Sequence, residues 1–234
     1  REIERELSDP PFMGVPLGAA LNDTLITKFR AGHGDWSTMA RNLDRLRMAR
    51  HWLFPRRSKG IKNVIPKGCT VVAWLSASPR FSELVVPVIR ALGEESCVIL
   101  GGCKSIRNSP YRPQRTVFVA ISELLKYDVD LWHVEYRRVR SAWSAKIKEL
   151  CSRHGLPSGS YEAMSLVLLV ASQVVAACLE SIKVLEPSAI VTDYDRNQMW
   201  SCLVLAARIH RIPTLTLTHG IMNRHALGFS PVIA

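Results

Sequence analysis

Two polar stretches near the end of the chain hold the residue types that could do chemistry. Asp193-Tyr194-Asp195-Arg196-Asn197 follows the apolar run Ala189 to Thr192, and His219-Gly220-Ile221-Met222-Asn223-Arg224 follows the run Leu215 to Thr218. An imidazole titrates near neutral pH and suits proton abstraction, a carboxylate can orient its ring, and arginines pair with oxyanions. Gly220 permits a tight turn beside a ligand. Such a set could deprotonate a hydroxyl and steady a departing phosphate. Two other readings stay open, with His219 as a rim histidine bonded to a neighbouring loop, or with His225 as the working imidazole. His210, between Arg208 and Arg211 on a helix, and His33, in the loop Ala31 to Asp35, read as solvated.

The elements that must hold these groups are legible in the spacing. Ala189 to Thr192 and Leu215 to Thr218 read as strands that begin after Pro187 and Pro213. Between them Met199, Leu203, Leu205, Ala206, Ala207 and Ile209 make one apolar helical face, so the unit is βαβ. Parallel strands so joined are covered on both faces, and ligands collect beyond their carboxyl ends. Further strands are expected at Thr70 to Leu75, Cys97 to Leu100 and Thr116 to Ile121, and further helices at Pro79 to Leu92, Ser122 to His154 and Ser160 to Leu185. The fold class is therefore α/β, an open, mostly parallel Rossmann-like sheet with helices on both faces. The first of these strands leads into Ser76-Ala77-Ser78-Pro79-Arg80, where small residues before a helix leave N–H groups for an anion and Arg80 adds charge. An ordinary capped helix is the plain alternative. After the second, Lys104, Arg107, Arg112 and Arg115 form a basic loop, expected either to share the rim with His219 and face phosphate or simply to be solvated. Neither a Walker A motif nor GxGxxG is present.

The run Pro187 to Pro231, with Asp193, the GIPT-like Arg211-Ile212-Pro213-Thr214, His219-Gly220 and then Pro231, resembles the N-terminal half of GT-B-type glycosyltransferases. The nearest are bacterial surface-polysaccharide and capsule enzymes and the CDP-glycerol polyol-phosphate transferases. Where many GT-B enzymes have a glycine-rich loop after the first strand, this chain has Ser-Ala-Ser-Pro-Arg. The resemblance implies an acceptor-side domain of an enzyme that moves a sugar or polyol phosphate from a nucleotide-activated donor to a saccharide or lipid-linked acceptor. It implies no bound cofactor or metal, the activated donor being a cosubstrate, and activity that needs a C-terminal donor-binding domain. It makes His219 the base with Asp193 or Asp195 orienting it. Ser78, Arg80, Arg112, Asp195, Arg196, Gly220, Asn223 and Arg224 would contact the acceptor or leaving phosphate. A non-catalytic Rossmann-like module for an anionic ligand or protein partner is the alternative, and a nucleic-acid-binding protein the third reading.

Composition bounds these expectations. The 234 residues, 47% hydrophobic and 22% charged, suit a globular chain, and a formal charge of +11 favours anionic company. Arg1 at the start and the apolar ending Ser-Pro-Val-Ile-Ala suggest a piece of a longer protein, organised as a helical, basic extension over 1–62 and a Rossmann-like domain over 63–234. Within Arg41 to Lys62, eight Lys or Arg face the single acid Asp44, with Trp52, Leu53 and Phe54 adjoining. That segment reads as a helix packed on the domain with a solvated basic back, or as a peripheral contact with an anionic membrane. Aromatics among the cations of 122–154 invite nucleic acid, but Val139, Trp143, Ile147 and Leu150 recur as a core stripe, and no RNA- or DNA-binding motif accompanies them. Six cysteines without CxxC spacing read as buried free thiols. The longest apolar run, Ala163 to Leu179, lies short of the ~20 residues that span a bilayer and reads as a buried helix capped by Ser160. The expected location is cytoplasmic, peripheral to the inner membrane if the basic segment binds it.

Overall fold

Short β-branched runs closed by glycine, proline or polar turns become the five strands of one parallel sheet. The computed structural model describes residues 2–20, 67–74, 79–101, 109–120, 127–156, 160–193 and 198–217. The strands are β1 (Thr70–Trp74), β2 (Cys97–Gly101), β3 (Val117–Ala120), β4 (Ala189–Thr192) and β5 (Thr214–Thr216). The helices are α1 (Glu2–Leu7), α2 (Pro79–Leu92), α3 (Val129–Arg153), α4 (Ser160–Leu185) and α5 (Gln198–Ile209). The basic segment 41–62, His33, Cys103 and most of the basic loop, 102–108, lie outside the described residues.

All four strand pairings are parallel, in the order β3-β2-β1-β4-β5. The chain therefore starts in the middle of the sheet, steps outward through β2 and β3, and returns to the other side of β1 for β4 and β5. Right-handed crossovers that step outward in opposite directions lay α2 and α5 on opposite faces. On the α2 face Val72, Trp74, Ile99, Phe118 and Val191 pack against Val85, Val86 and Ile89. Alternation assigns Val71, Ala73, Val98, Leu100 and Ile190, all buried as well, to the other face. Burial on both sides is why these strands read as continuous apolar runs.

Element ends depart from expectation for local reasons. α3 starts at Val129 because the Asp128 carboxylate caps it, accepting from the N–H groups of Asp130 and Leu131 at 3.0 Å each. It ends on Gly155 in the left-handed region (φ 55°), with Gly155 N–H donating to Ser152 O and Leu156 N–H to Cys151 O. The same double bond ends α5, where Arg211 and Ile212 donate to Arg208 O and Ala207 O. There the left-handed position holds Arg211 (φ 55°), a side chain where glycine is the low-strain choice. Leu203, Leu205, Ala206 and Ala207 of α5 are buried as the periodicity requires, but Ile209 is 41% exposed, turned outward on the last helical residue. β5 forms over Thr214–Thr216 rather than Leu215 to Thr218, because its partner β4 ends at Thr192. It is an edge strand, with Leu215 exposed.

Contacts divide the chain into two compact units, and the division does not follow residue 62. Described residues 2–20 and 127–176 belong to one, and the sheet, its α2 and α5 helices and residues 177–185 of α4 belong to the other. In the first unit Leu7, Phe12, Val15 and Leu17 are fully buried, and α1 packs against α3. The Trp143 indole donates to Pro10 O at 3.1 Å, the Arg138 guanidinium to Pro11 O at 3.1 Å, and Arg153 pairs with Glu6 at 2.7 Å. Trp132, Val139, Trp143, Ile147 and Leu150 form the buried stripe of α3, as the core-stripe reading required.

α4 runs 26 residues, longer than its apolar run because Ser160 to Glu162 and Glu180 to Leu185 extend it. By length and composition it could cross a bilayer, but 76% of its most apolar window is buried inside the protein. Ser160 is its first residue, with the side chain fully buried.

Candidate functional site

The order in which strands are added reverses between β1 and β4, and in open α/β sheets the crevice outside the carboxyl ends at such a switch point is where ligands bind. Register places Ala73 opposite Thr192, so Trp74 and the residue after Thr192, Asp193, close the two strands side by side. The Asp193 N–H donates to Ala73 O at 3.1 Å, carrying the ladder one residue past the strand. Alternation puts the Asp193 side chain on the face of Val191 and Trp74, the face that α2 covers. It is fully buried, as is Trp74. A carboxylate wholly withdrawn from water at a strand end is rare without a specific reason.

The flanking groups are polar on one side and aromatic on the other. Thr192 and Thr216 share a hydroxyl hydrogen bond of 3.1 Å across β4 and β5, and Leu217 N–H donates to Thr192 O at 2.8 Å. Trp200, in the first turn of α5, is 1% exposed, and its indole N–H has no acceptor among the described residues. α2 begins five residues after β1, and α5 begins six after β4. Both helices thus start at the carboxyl edge, where the first-turn N–H groups favour an anion. Among the described residues no group of three His, Cys, Asp or Glu is placed to hold a metal ion.

Of the residues singled out in the sequence, Asp193 lies at this edge, and Arg80 is the second residue of α2, the helix that follows β1. Ser78, Asp195, Arg196, His219, Gly220, Asn223 and Arg224 lie outside the described residues. Arg112 is elsewhere. It belongs to the paired turns of 109–116 that lead into the amino end of β3, an outer strand, and it lines a groove of about 590 Å³ along α2 with Arg90 and Glu94. Arg115, in the same turns, is drawn toward the amino end of β2, its N–H donating to Glu94 at 3.2 Å and its guanidinium 3.5 Å from Glu95. This part of the basic loop has already crossed back from the carboxyl edge, as a parallel β2–β3 connection must. The expectation of one shared rim does not hold for Arg112 and Arg115.

No protein family, curated protein or solved structure matches the chain.

Sequence reasoning passed over Trp74, Thr192, Thr216 and Trp200. Thr192 and Thr216 were read only as strand formers, and their pairing follows from register. Trp200 carried one signal, an aromatic with a polar edge three residues into a helix that leaves a candidate strand end.

The thiols have a plain role. Cys69, Cys97, Cys178 and Cys202 are buried thiols that form no disulfide with another described residue. Burial pushes Cys178 up to about 12 and holds Cys202 well above its ordinary value, helped there by the neighbouring Cys178. Protonated at neutral pH, they pack as small apolar groups and do not act as nucleophiles.

Proposed function

We propose that this chain is the acceptor-side, Rossmann-like half of a GT-B-type transferase that moves a sugar or polyol phosphate from a nucleotide-activated donor to a surface-polysaccharide or lipid-linked acceptor. One observation carries the reading: Asp193, a fully buried carboxylate directly after β4, where the strand order reverses. His219 takes the proton from the acceptor hydroxyl as that oxygen bonds to the donor's anomeric carbon or phosphorus, and the nucleotide leaves with the bonding electron pair. Asp193 orients the imidazole and offsets the charge it gains. The N-termini of α2 and α5 steady negative charge on the leaving group. The proposal includes action in the cytoplasm, with 41–62 resting on anionic lipid.

A thermal-shift screen against UDP-, GDP-, CMP- and CDP-linked sugars and polyols, run on this chain and on its full-length gene product, tests it. A ligand at about 100 times its dissociation constant adds roughly 2.7 kcal/mol to stability. Stabilisation of the full-length protein by one nucleotide class supports the proposal. If no nucleotide stabilises either, the transferase reading fails and a non-catalytic module for an anionic ligand replaces it.

A further inference from the structure

In the other unit, a groove of about 350 Å³ opens between α3 and the first half of α4. Two packed helices ordinarily fill their seam with side chains, whereas this opening has the size of a ligand site. Its apolar lining includes Trp143, Ile147 and Leu168, each at most 2% exposed. Its polar groups converge from both helices. The Tyr161 and Ser144 hydroxyls lie 2.7 Å apart, and Arg140 acts electrostatically on both the Tyr136 and Tyr161 phenols.

Charge decides what these groups would hold. Among the described residues no carboxylate lies within ion-pair distance of Arg140 or Arg137, whereas Arg138 and Arg153 of α3 are each paired with a glutamate; of the two unpaired arginines, Arg140 is the one that lines the groove. Lys148 sits 5.7 Å from the Tyr161 ring centre, a second cation beside that phenol though not on the groove wall. Glu162 is the acid among the lining residues. The Ser144 hydroxyl holds the Tyr161 phenol below its ordinary value, with Ser165, Lys148 and Arg140 acting in the same direction. A phenol so placed is a strengthened hydrogen-bond donor, suited to an oxyanion.

We propose that this groove binds a small amphipathic oxyanion, a carboxylate or phosphate ester on a short apolar body. Arg140 and the Tyr161 hydroxyl, supported by its hydrogen bond with Ser144, take the charged end, and the half-buried Tyr136, Leu166 and Leu169 take the apolar body. The site is separate from the carboxyl edge of the sheet, and the proposal stands whether or not that edge performs transfer.

Titration calorimetry of the whole chain with hexyl phosphate, inorganic phosphate and 1-hexanol tests it, with Arg140→Gln as the variant. Arg140 is exposed, so the substitution leaves the core intact, which circular dichroism checks. Hexyl phosphate should bind at least ~10-fold more tightly than either inorganic phosphate or hexanol, and Arg140→Gln should lose at least ~10-fold of that affinity, about 1.4 kcal/mol. Tyr161→Phe should weaken it in the same direction. Equal binding of hexanol would remove the charge from the recognition, and equal binding of inorganic phosphate would remove the apolar body. Either result, undiminished affinity in Arg140→Gln, or no binding of hexyl phosphate at all, overturns the proposal.

Discussion

The Asp193 N–H and the Ala73 carbonyl, 3.1 Å apart, are the last rung between the two central strands. In the chain β1 is followed by α2 and β4 by α5. The Asp193 carboxylate, directly after β4, is fully buried.

Asp193→Asn keeps shape and removes charge. On the proposed transferase reading, turnover of the full-length protein should fall at least ~10-fold, and the acid limb of the pH–rate profile should move to lower pH because the base loses the carboxylate that favours its protonated form. A fall in turnover with an unmoved acid limb would show that Asp193 acts only on packing.

Arg211 occupies a left-handed position that ends α5. Arg211→Gly should stabilise the chain by about 1 kcal/mol, read as a higher urea midpoint at unchanged slope, because the strain removed exceeds the added freedom of the unfolded chain. A lowered midpoint would mean that the arginine side chain contributes more than its backbone costs.

Buried thiols make the fold sensitive to alkali. Cys178 stands at about 12 against an ordinary 9.0, and Cys69, Cys97, Cys151 and Cys202 are raised as well. In the unfolded chain these thiols release protons that the folded chain retains, so stability is full below the unfolded value and falls as pH rises above it. Urea midpoints at about pH 8 and about pH 10 should differ, with the lower at pH 10, and Cys178→Ala should lessen the difference. Parallel curves for wild type and variant would contradict this.

The tyrosines should titrate in a definite order. Tyr161 lies below its ordinary value through its hydrogen bond to Ser144, while burial raises Tyr127 and Tyr136. Ultraviolet difference titration should show an early tyrosinate phase that Tyr161→Phe removes. Persistence of that phase would assign it to another residue and weaken the Ser144–Tyr161 pairing.

Local structure was largely legible before the fold was known. α2 spans Pro79–Leu92 and α4 Ser160–Leu185 as their proline, serine and glycine boundaries implied, and β1, β2 and β4 match their buried runs to within a residue. The order β3-β2-β1-β4-β5 was not legible, because strand pairing depends on partners far apart in the chain. Nor was the burial of Leu7, Phe12, Val15 and Leu17, which follow no single helical or strand period and are covered by one another's segments and by α3. At the site, the position of Asp193 was readable from a strand followed by an acid. Arg112 was misplaced because the loop's basic composition says nothing of where the chain crosses back to the amino edge.

The most direct measurement is steady-state turnover of His219→Ala in the full-length protein with the nucleotide donor found by thermal shift. Loss of a general base should lower the turnover number by at least ~100-fold while the melting transition stays in place. An unaltered turnover number would remove His219 from the mechanism and, with it, the account of proton abstraction at the carboxyl edge.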